Sequence, residues 1–119
     1  MRACLFVGMG GFLGTVLRYL LSMIPLQNHS GFPFITLAIN VSGAFAIGLL
    51  AGISTKYANA EWMAFLRVGI CGGFTTFSTF ALEITNLFGA GKAVAGTAYI
   101  ALSLLLGIAA VTAGRAMTS

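Results

Sequence analysis

Charge is what this sequence has least of. Asp, Glu, Lys and Arg make up 7% of its 119 residues, against about 25% in an ordinary soluble domain. Six cations and two acids cannot wet a globule of this size, most of whose surface must face water. A water-soluble fold is therefore excluded, and the solvent is lipid. Two acids and one His do not supply a nucleophile, a base and an orienting group, which excludes an enzyme built on such a constellation. The six Lys and Arg stand singly, so a net charge of +4 forms no basic patch for nucleic acid. Cys4 and Cys71 lie in apolar runs with no metal-ligand spacing around them. That argues against a disulfide framework or a zinc site and for two small buried hydrophobes. No small-x-small cleavage pattern follows Met1-Arg2 in the right place, so the first apolar run is expected to be a retained helix.

Apolar length is what the sequence has in quantity, with 59% of its residues hydrophobic. A membrane-spanning helix needs about 20 mostly apolar residues, which predicts an all-α chain of four spans in one domain over residues 1–119. The first covers residues 3–24 and is closed by Pro25 and the loop residues Gln27-Asn28-His29-Ser30-Gly31. The second opens at Pro33, a residue suited to a first helical turn, and covers 33–54, with Lys56 and Asn59 in the next loop. The third covers 61–88, starting at Glu61-Trp62 and stopping at Gly89 and Gly91. The fourth covers 92–117, with Arg115 as its interfacial anchor.

At 1.5 Å per residue the third span would be about 40 Å long, well beyond a hydrocarbon core of about 30 Å. Its middle reads Cys71-Gly72-Gly73-Phe74-Thr75-Thr76-Phe77-Ser78-Thr79-Phe80. Adjacent glycines and four hydroxyl residues both loosen a helix, so a break is expected near residues 72–76. Gly10 and Gly14, Gly48 and Gly52, and Gly69 and Gly73 are each four apart, which puts each pair on one helix face and points to close helix packing. With four spans, Arg2, Lys56, Arg67 and Arg115 fall toward one side of the membrane and Arg18 and Lys92 toward the other. So weak a bias would let copies insert both ways, and two inverted copies could together enclose a pathway.

Polar side chains within spans need partners or a function. Thr36, Asn40 and Gly43 share a face of the second span. Asn40 is either interhelical glue or part of a pathway. Tyr99 and Ser103 share a face of the fourth, with Gly107 a turn further on; the plain account of Ser103 is a bond to its own backbone four residues back. In the third span Thr76, Phe77, Phe80 and Glu83 share one face and Thr75, Ser78 and Thr79 another. Amide hydrogens, hydroxyls and the positive edges of phenyl rings are all donors to an anion, and mid-span carboxylates are nearly absent. A small hard anion needs several close donors to replace its water, not one buried cation that would trap it. Unwound carbonyls between Gly72 and Thr75 have the opposite polarity and suit a cation. Glu83, the only acid deep in a span, is either a proton carrier or a structural partner of Arg18 or a backbone donor, and the second is preferred.

Gly10-Gly11-Phe12-Leu13-Gly14 with Arg18-Tyr19, Thr36-Leu37-Ala38-Ile39-Asn40, and above all Gly72-Gly73-Phe74-Thr75-Thr76-Phe77-Ser78-Thr79-Phe80 with Glu83 resemble the Fluc/CrcB fluoride channels. The likeness covers essentially the whole chain. It implies a four-helix subunit with a broken third helix, assembled as a dual-topology antiparallel homodimer in the lipid bilayer of the bacterial inner membrane, with two fluoride pathways. By the resemblance Asn40, Phe77 and Phe80 line those pathways, Thr79, Tyr99 and Ser103 continue a polar track, and Arg18 sits near an entrance. Thr36 and Glu83 match family positions and are candidates for an entrance or a support, with no role for Glu83 following from its match. Backbone carbonyls of Gly72 and Thr75, from both chains, would hold a central Na+ that is structural and not transported. Gly107 departs from the family pattern, which can carry a serine there. Other classes compatible with the composition are a small proton-coupled multidrug exporter, which relies on a first-helix carboxylate absent here, and a non-transporting membrane scaffold.

Overall fold

The computed structural model describes residues 1–25, 31–53 and 59–119. The loop positions Gln27, Asn28, His29, Ser30 and Lys56 lie outside the described residues. The described residues form helices throughout, in the order α1 (Arg2–Ser22), α2 (Phe34–Ile53), α3 (residues 60–74), α4 (Phe77–Gly89) and α5 (Ala93–Thr118). Taken together, α3 and α4 are one interrupted span, so four stretches are long and apolar enough to cross a membrane.

Local chemistry sets the ends of these elements. Pro25, which has no N–H to donate, follows the last turn of α1. Asn59 caps α3 by accepting from the amides of Glu61 and Trp62 at 2.9 and 3.3 Å. Between α4 and α5 Gly91 takes a φ of 76°, which a residue with a Cβ rarely adopts. That turn lets the Lys92 amide reach the Leu87 carbonyl at 2.8 Å and the Gly91 amide reach Phe88 at 3.1 Å, closing the last carbonyls of α4.

Within α3 the chain is α-helical over Ala60–Met63, π-helical over Ala64–Cys71, and finishes with a short α-helical turn, Gly72–Phe74. Eight residues of π-helix are unusual, since the i→i+5 bond is mostly confined to single-turn bulges. No residue pattern announces it.

Lipid tails offer no hydrophobic incentive for two helices to meet, so close backbone approach has to do that work. The spaced glycines are where it happens. Gly69 lies against α1, where a Cβ on it would stand 2.8 Å from the Cα of Gly10. One turn on, a Cβ on Gly73 would stand 2.7 Å from the Gly11 carbonyl oxygen. On the other side of the molecule Gly48 of α2 faces the Val111 backbone of α5, and Gly114 of α5 faces Phe45 and Leu49 of α2. The molecule is thus two tight helix pairs, α1 with α3 and α2 with α5. A small apolar core forms where α4 meets α5: Tyr99, fully buried, packs with Phe32 and Leu87, and Leu37, Phe80 and Ile84 close around it. Most other large apolar side chains face outward, as lipid permits.

Candidate functional site

The interruption between α3 and α4 occupies two residues. Thr75 has φ −81° and ψ 155°, and Thr76 has φ −146° and ψ 123°, both extended. Gly72, by contrast, is helical, at φ −65° and ψ −38°. The glycines expected to unwind the span therefore stay in the helix, because Gly73 is held against Gly11 of α1. The break falls at the end of the expected 72–76 stretch, where side chains from other helices capture the backbone.

Asn40 of α2 makes the largest capture. Its Oδ1 accepts from the Thr76 amide at 2.8 Å and its Nδ2 donates to the Thr76 carbonyl at 3.0 Å. This two-way grip imitates a strand partner across an extended residue. Thr76 Oγ1 in turn accepts from the Thr79 amide at 3.2 Å and so caps α4. On the α3 side, the Thr75 amide and hydroxyl both donate to the Cys71 carbonyl, at 3.0 and 2.9 Å. Arg18 of α1 donates from Nε to the Gly73 carbonyl at 3.0 Å.

These bonds have a consequence for two carbonyls. In a continuous helix the Gly72 oxygen would accept from the Thr76 amide and the Thr75 oxygen from the Thr79 amide. Both amides are taken by side chains, Asn40 Oδ1 and Thr76 Oγ1. Gly72 and Thr75 therefore lose their usual donors, and Phe74 lacks its own, the Ser78 amide; Cys71 keeps the Thr75 amide, while the oxygens of Gly73 and Thr76 have side-chain donors instead.

Beside the break an open groove of about 400 Å³ is lined by Asn40, Gly43, Thr75, Phe77, Phe80 and Ser103, among others. The rings of Phe77 and Phe80 lie 5.9 Å apart, and Phe80 meets Tyr99 edge-on at 5.0 Å. Phe77, which lines the groove, is 78% exposed, so most of its surface is uncovered. The expected bond of Ser103 to its own backbone is not made: its Oγ is buried and has no hydrogen-bond partner among the described residues. Thr112, by contrast, does bond back, to the Ile108 carbonyl at 2.8 Å. The groove continues past Ser103 into a space of about 340 Å³ bordered by Gly107 and Thr112, where a Cβ on Gly107 would meet nothing within 4 Å.

Not every residue of the expected polar track faces this groove. Thr79 lies in a separate cavity of about 250 Å³ with Thr15, Arg18, Tyr19, Ser22 and Thr36. Thr76 borders both spaces. Tyr99 sits behind Phe80 and donates to Glu83 Oε1 at 3.1 Å, while Thr36 donates to Oε2 at 3.0 Å. The expected pairing of Glu83 with Arg18 or a backbone donor is thereby corrected, while its structural role as a hydrogen-bonded partner stands. Two hydroxyls satisfy the carboxylate, and the guanidinium turns to a backbone carbonyl instead. Thr76 is the residue that sequence reasoning undervalued. A threonine immediately before a new apolar helical run is an N-cap signal, and that signal was there to be used.

A family model described as CrcB-like protein, Camphor Resistance (CrcB), matches residues 5–115. The chain belongs to the CrcB family. Among curated CrcB relatives, a protein of Ruminiclostridium cellulolyticum named fluoride-specific ion channel FluC is 47% identical over 112 residues, covering 92% of this chain and 86% of its own length. The protein of that name from Rhizobium etli is 47% identical over 120 residues, 98% of this chain and 96% of its own. That of Chlorobaculum tepidum is 41% identical over 116 residues, 96% and 92%. With four apolar helices and relatives of this kind, this CrcB chain is a multi-pass membrane protein.

Proposed function

We propose that the protein is a fluoride channel, which lets the ion leave the cytoplasm down its gradient. Its working form would be an antiparallel dual-topology homodimer in the bacterial inner membrane. The observation that carries this reading is the groove at the break. There the Ser103 hydroxyl and the second Nδ2 hydrogen of Asn40 have no partner among the described residues, and the phenyl rings of Phe77 and Phe80 stand beside them. Neutral donors and ring edges can replace the water of a small anion without trapping it. The names of the relatives support fluoride as that anion. Thr79 and Tyr99 would support the path from behind its wall, Thr79 by accepting from the Thr76 hydroxyl at 3.2 Å and Tyr99 through the edge of Phe80.

A second copy would cover the groove, which is open on one side and carries the exposed Phe77 ring. Four cations toward one face against two toward the other support insertion both ways. The carbonyls of Gly72 and Thr75, stripped of their helical donors, fit a hard cation, and a Na+ shared by two copies would tie their breaks together. Its chemistry there would be electrostatic and structural.

The test is efflux from liposomes loaded with both halides. Purified protein releases fluoride rapidly and retains chloride, and Phe80→Ile slows fluoride release while the protein remains dimeric. Equal leakage of both halides, or of neither, overturns the reading.

A further inference from the structure

Two grips from opposite sides bracket the break. Asn40 of α2 holds Thr76, and Arg18 of α1 holds Gly73 through an Nε–H bond of 3.0 Å that joins residues 55 apart in sequence. Thr15, one turn before Arg18, points its hydroxyl at the same Gly73 oxygen, but at 3.5 Å it adds little. Phe74 and Thr75, where the backbone passes from helical to extended, lie between the two grips.

In an unbroken helix the Gly73 oxygen would accept from the Phe77 amide, which here opens α4 and lies beyond the break. A carbonyl left bare in a lipid-solvated span is costly. Its cheapest repair is to recapture Phe77, and with it to draw Thr76 back onto Gly72 and close the helix. The Arg18 donor removes that incentive. We propose that Arg18 is a positioning residue, whose Nε–H, and not its charge, keeps the span broken and so fixes the direction of the neighbouring Gly72 and Thr75 carbonyls. The rest of the guanidinium extends into the polar cavity with Tyr19 and Ser22 near the end of α1, which lets an arginine serve here without burying its charge in hydrocarbon.

Side-chain geometry separates the donor from the charge. Glutamine carries its amide nitrogen the same number of atoms from Cα as arginine carries Nε, so Arg18→Gln keeps a donor at that point and removes the charge. Arg18→Met keeps the length and removes both. The first readout is hydrogen exchange of the peptide covering residues 72–80 in the full-length protein in lipid nanodiscs. It is independent of the fluoride-channel reading, on which only the second readout rests. Exchange in Arg18→Gln stays close to that of the unmodified chain, and in Arg18→Met it slows by about tenfold or more as the Phe77 amide returns to the Gly73 carbonyl, the factor that one buried hydrogen bond is worth; faster exchange in Arg18→Met overturns the proposal. In liposomes, fluoride release lost in Arg18→Met is recovered in Arg18→Gln.

Exchange that is unchanged in both variants, or altered equally in both, overturns the proposal, the second because it assigns the work to the charge. Should Arg18→Met not fold, Arg18→Gln decides alone, since a charge role requires it to fail. If the unmodified protein releases no fluoride, the channel reading falls while the exchange comparison still decides the role of Arg18.

Discussion

Replacing Asn40 by Ala removes both bonds to Thr76, at 2.8 and 3.0 Å, and leaves a backbone donor and acceptor bare in the middle of a span. Each unsatisfied buried group costs about 1–3 kcal/mol, so the pair costs about 2–6 kcal/mol if nothing rearranges. The chain has one repair open to it: the Thr76 amide can return to the Gly72 carbonyl as the fourth residue on, which re-forms a helical bond and straightens the break. The net loss is therefore expected near the lower end, about 2–3 kcal/mol, and is accompanied by closure of the Gly72 carbonyl. Two measurements read these effects separately. Loss of helical circular dichroism on titration with SDS moves to lower detergent fraction, and fluoride efflux from liposomes falls by more than about tenfold, the factor equivalent to about 1.4 kcal/mol. Asn40→Asp adds a discriminating arm. Its carboxylate can still accept from the Thr76 amide but sets a second oxygen against the Thr76 carbonyl, so its stability falls between the two while flux stays low. An Asn40→Ala protein with an unchanged SDS transition and unchanged hydrogen exchange over residues 72–80 would refute the reasoning, because the break would then be held by something else.

Gly48→Ala drives a Cβ into the Val111 backbone, where no flexible side chain can yield, and is expected to destabilise by about 1–3 kcal/mol. Gly8→Ala, in the same fold but with nothing within 4 Å of the new carbon, is expected to stabilise α1 by about 0.4–1 kcal/mol; SDS unfolding of the two variants moves in opposite directions. Tyr99→Phe takes one of two donors from the Glu83 carboxylate and should lower stability by about 1.5–3 kcal/mol; an unchanged unfolding midpoint would mean that Thr36 alone suffices. Prolonged dialysis against sodium-free buffer is expected to abolish fluoride release, with recovery on adding Na+ back; unaltered release in the absence of sodium removes the ion from the account.

Some of the site could be located from the sequence but not resolved. The run from Cys71 to Phe80 marks where the third span is weakest, since a stretch too long for the bilayer with glycines and threonines at its centre is a poor helix. Which residues leave the helix is a different matter. Gly72 and Gly73 are the most permissive positions, yet they stay helical because Gly73 is pressed on α1, whereas Thr75 and Thr76 are extended because Asn40, 36 residues away in sequence, holds the Thr76 backbone. The partners of Glu83 were hidden for the same reason. Arg18 is the obvious counter-ion by charge, but it is directed to Gly73, and the carboxylate is left to Thr36 and Tyr99. The π-helix over Ala64–Cys71 leaves no mark in side-chain identity at all, because it is a matter of which carbonyl each amide selects.

By itself, then, the sequence determined the solvent, the number of apolar crossings and the faces on which helices meet. Hydropathy and glycine spacing act locally, and each residue carries its share wherever the others lie. Only the tertiary structure decided the state of the break, the carbonyls it leaves without helical donors and the division of the polar residues between two cavities. Each of those depends on a hydrogen bond between helices far apart along the chain, and the choice among competing donors is made only once the helices have packed.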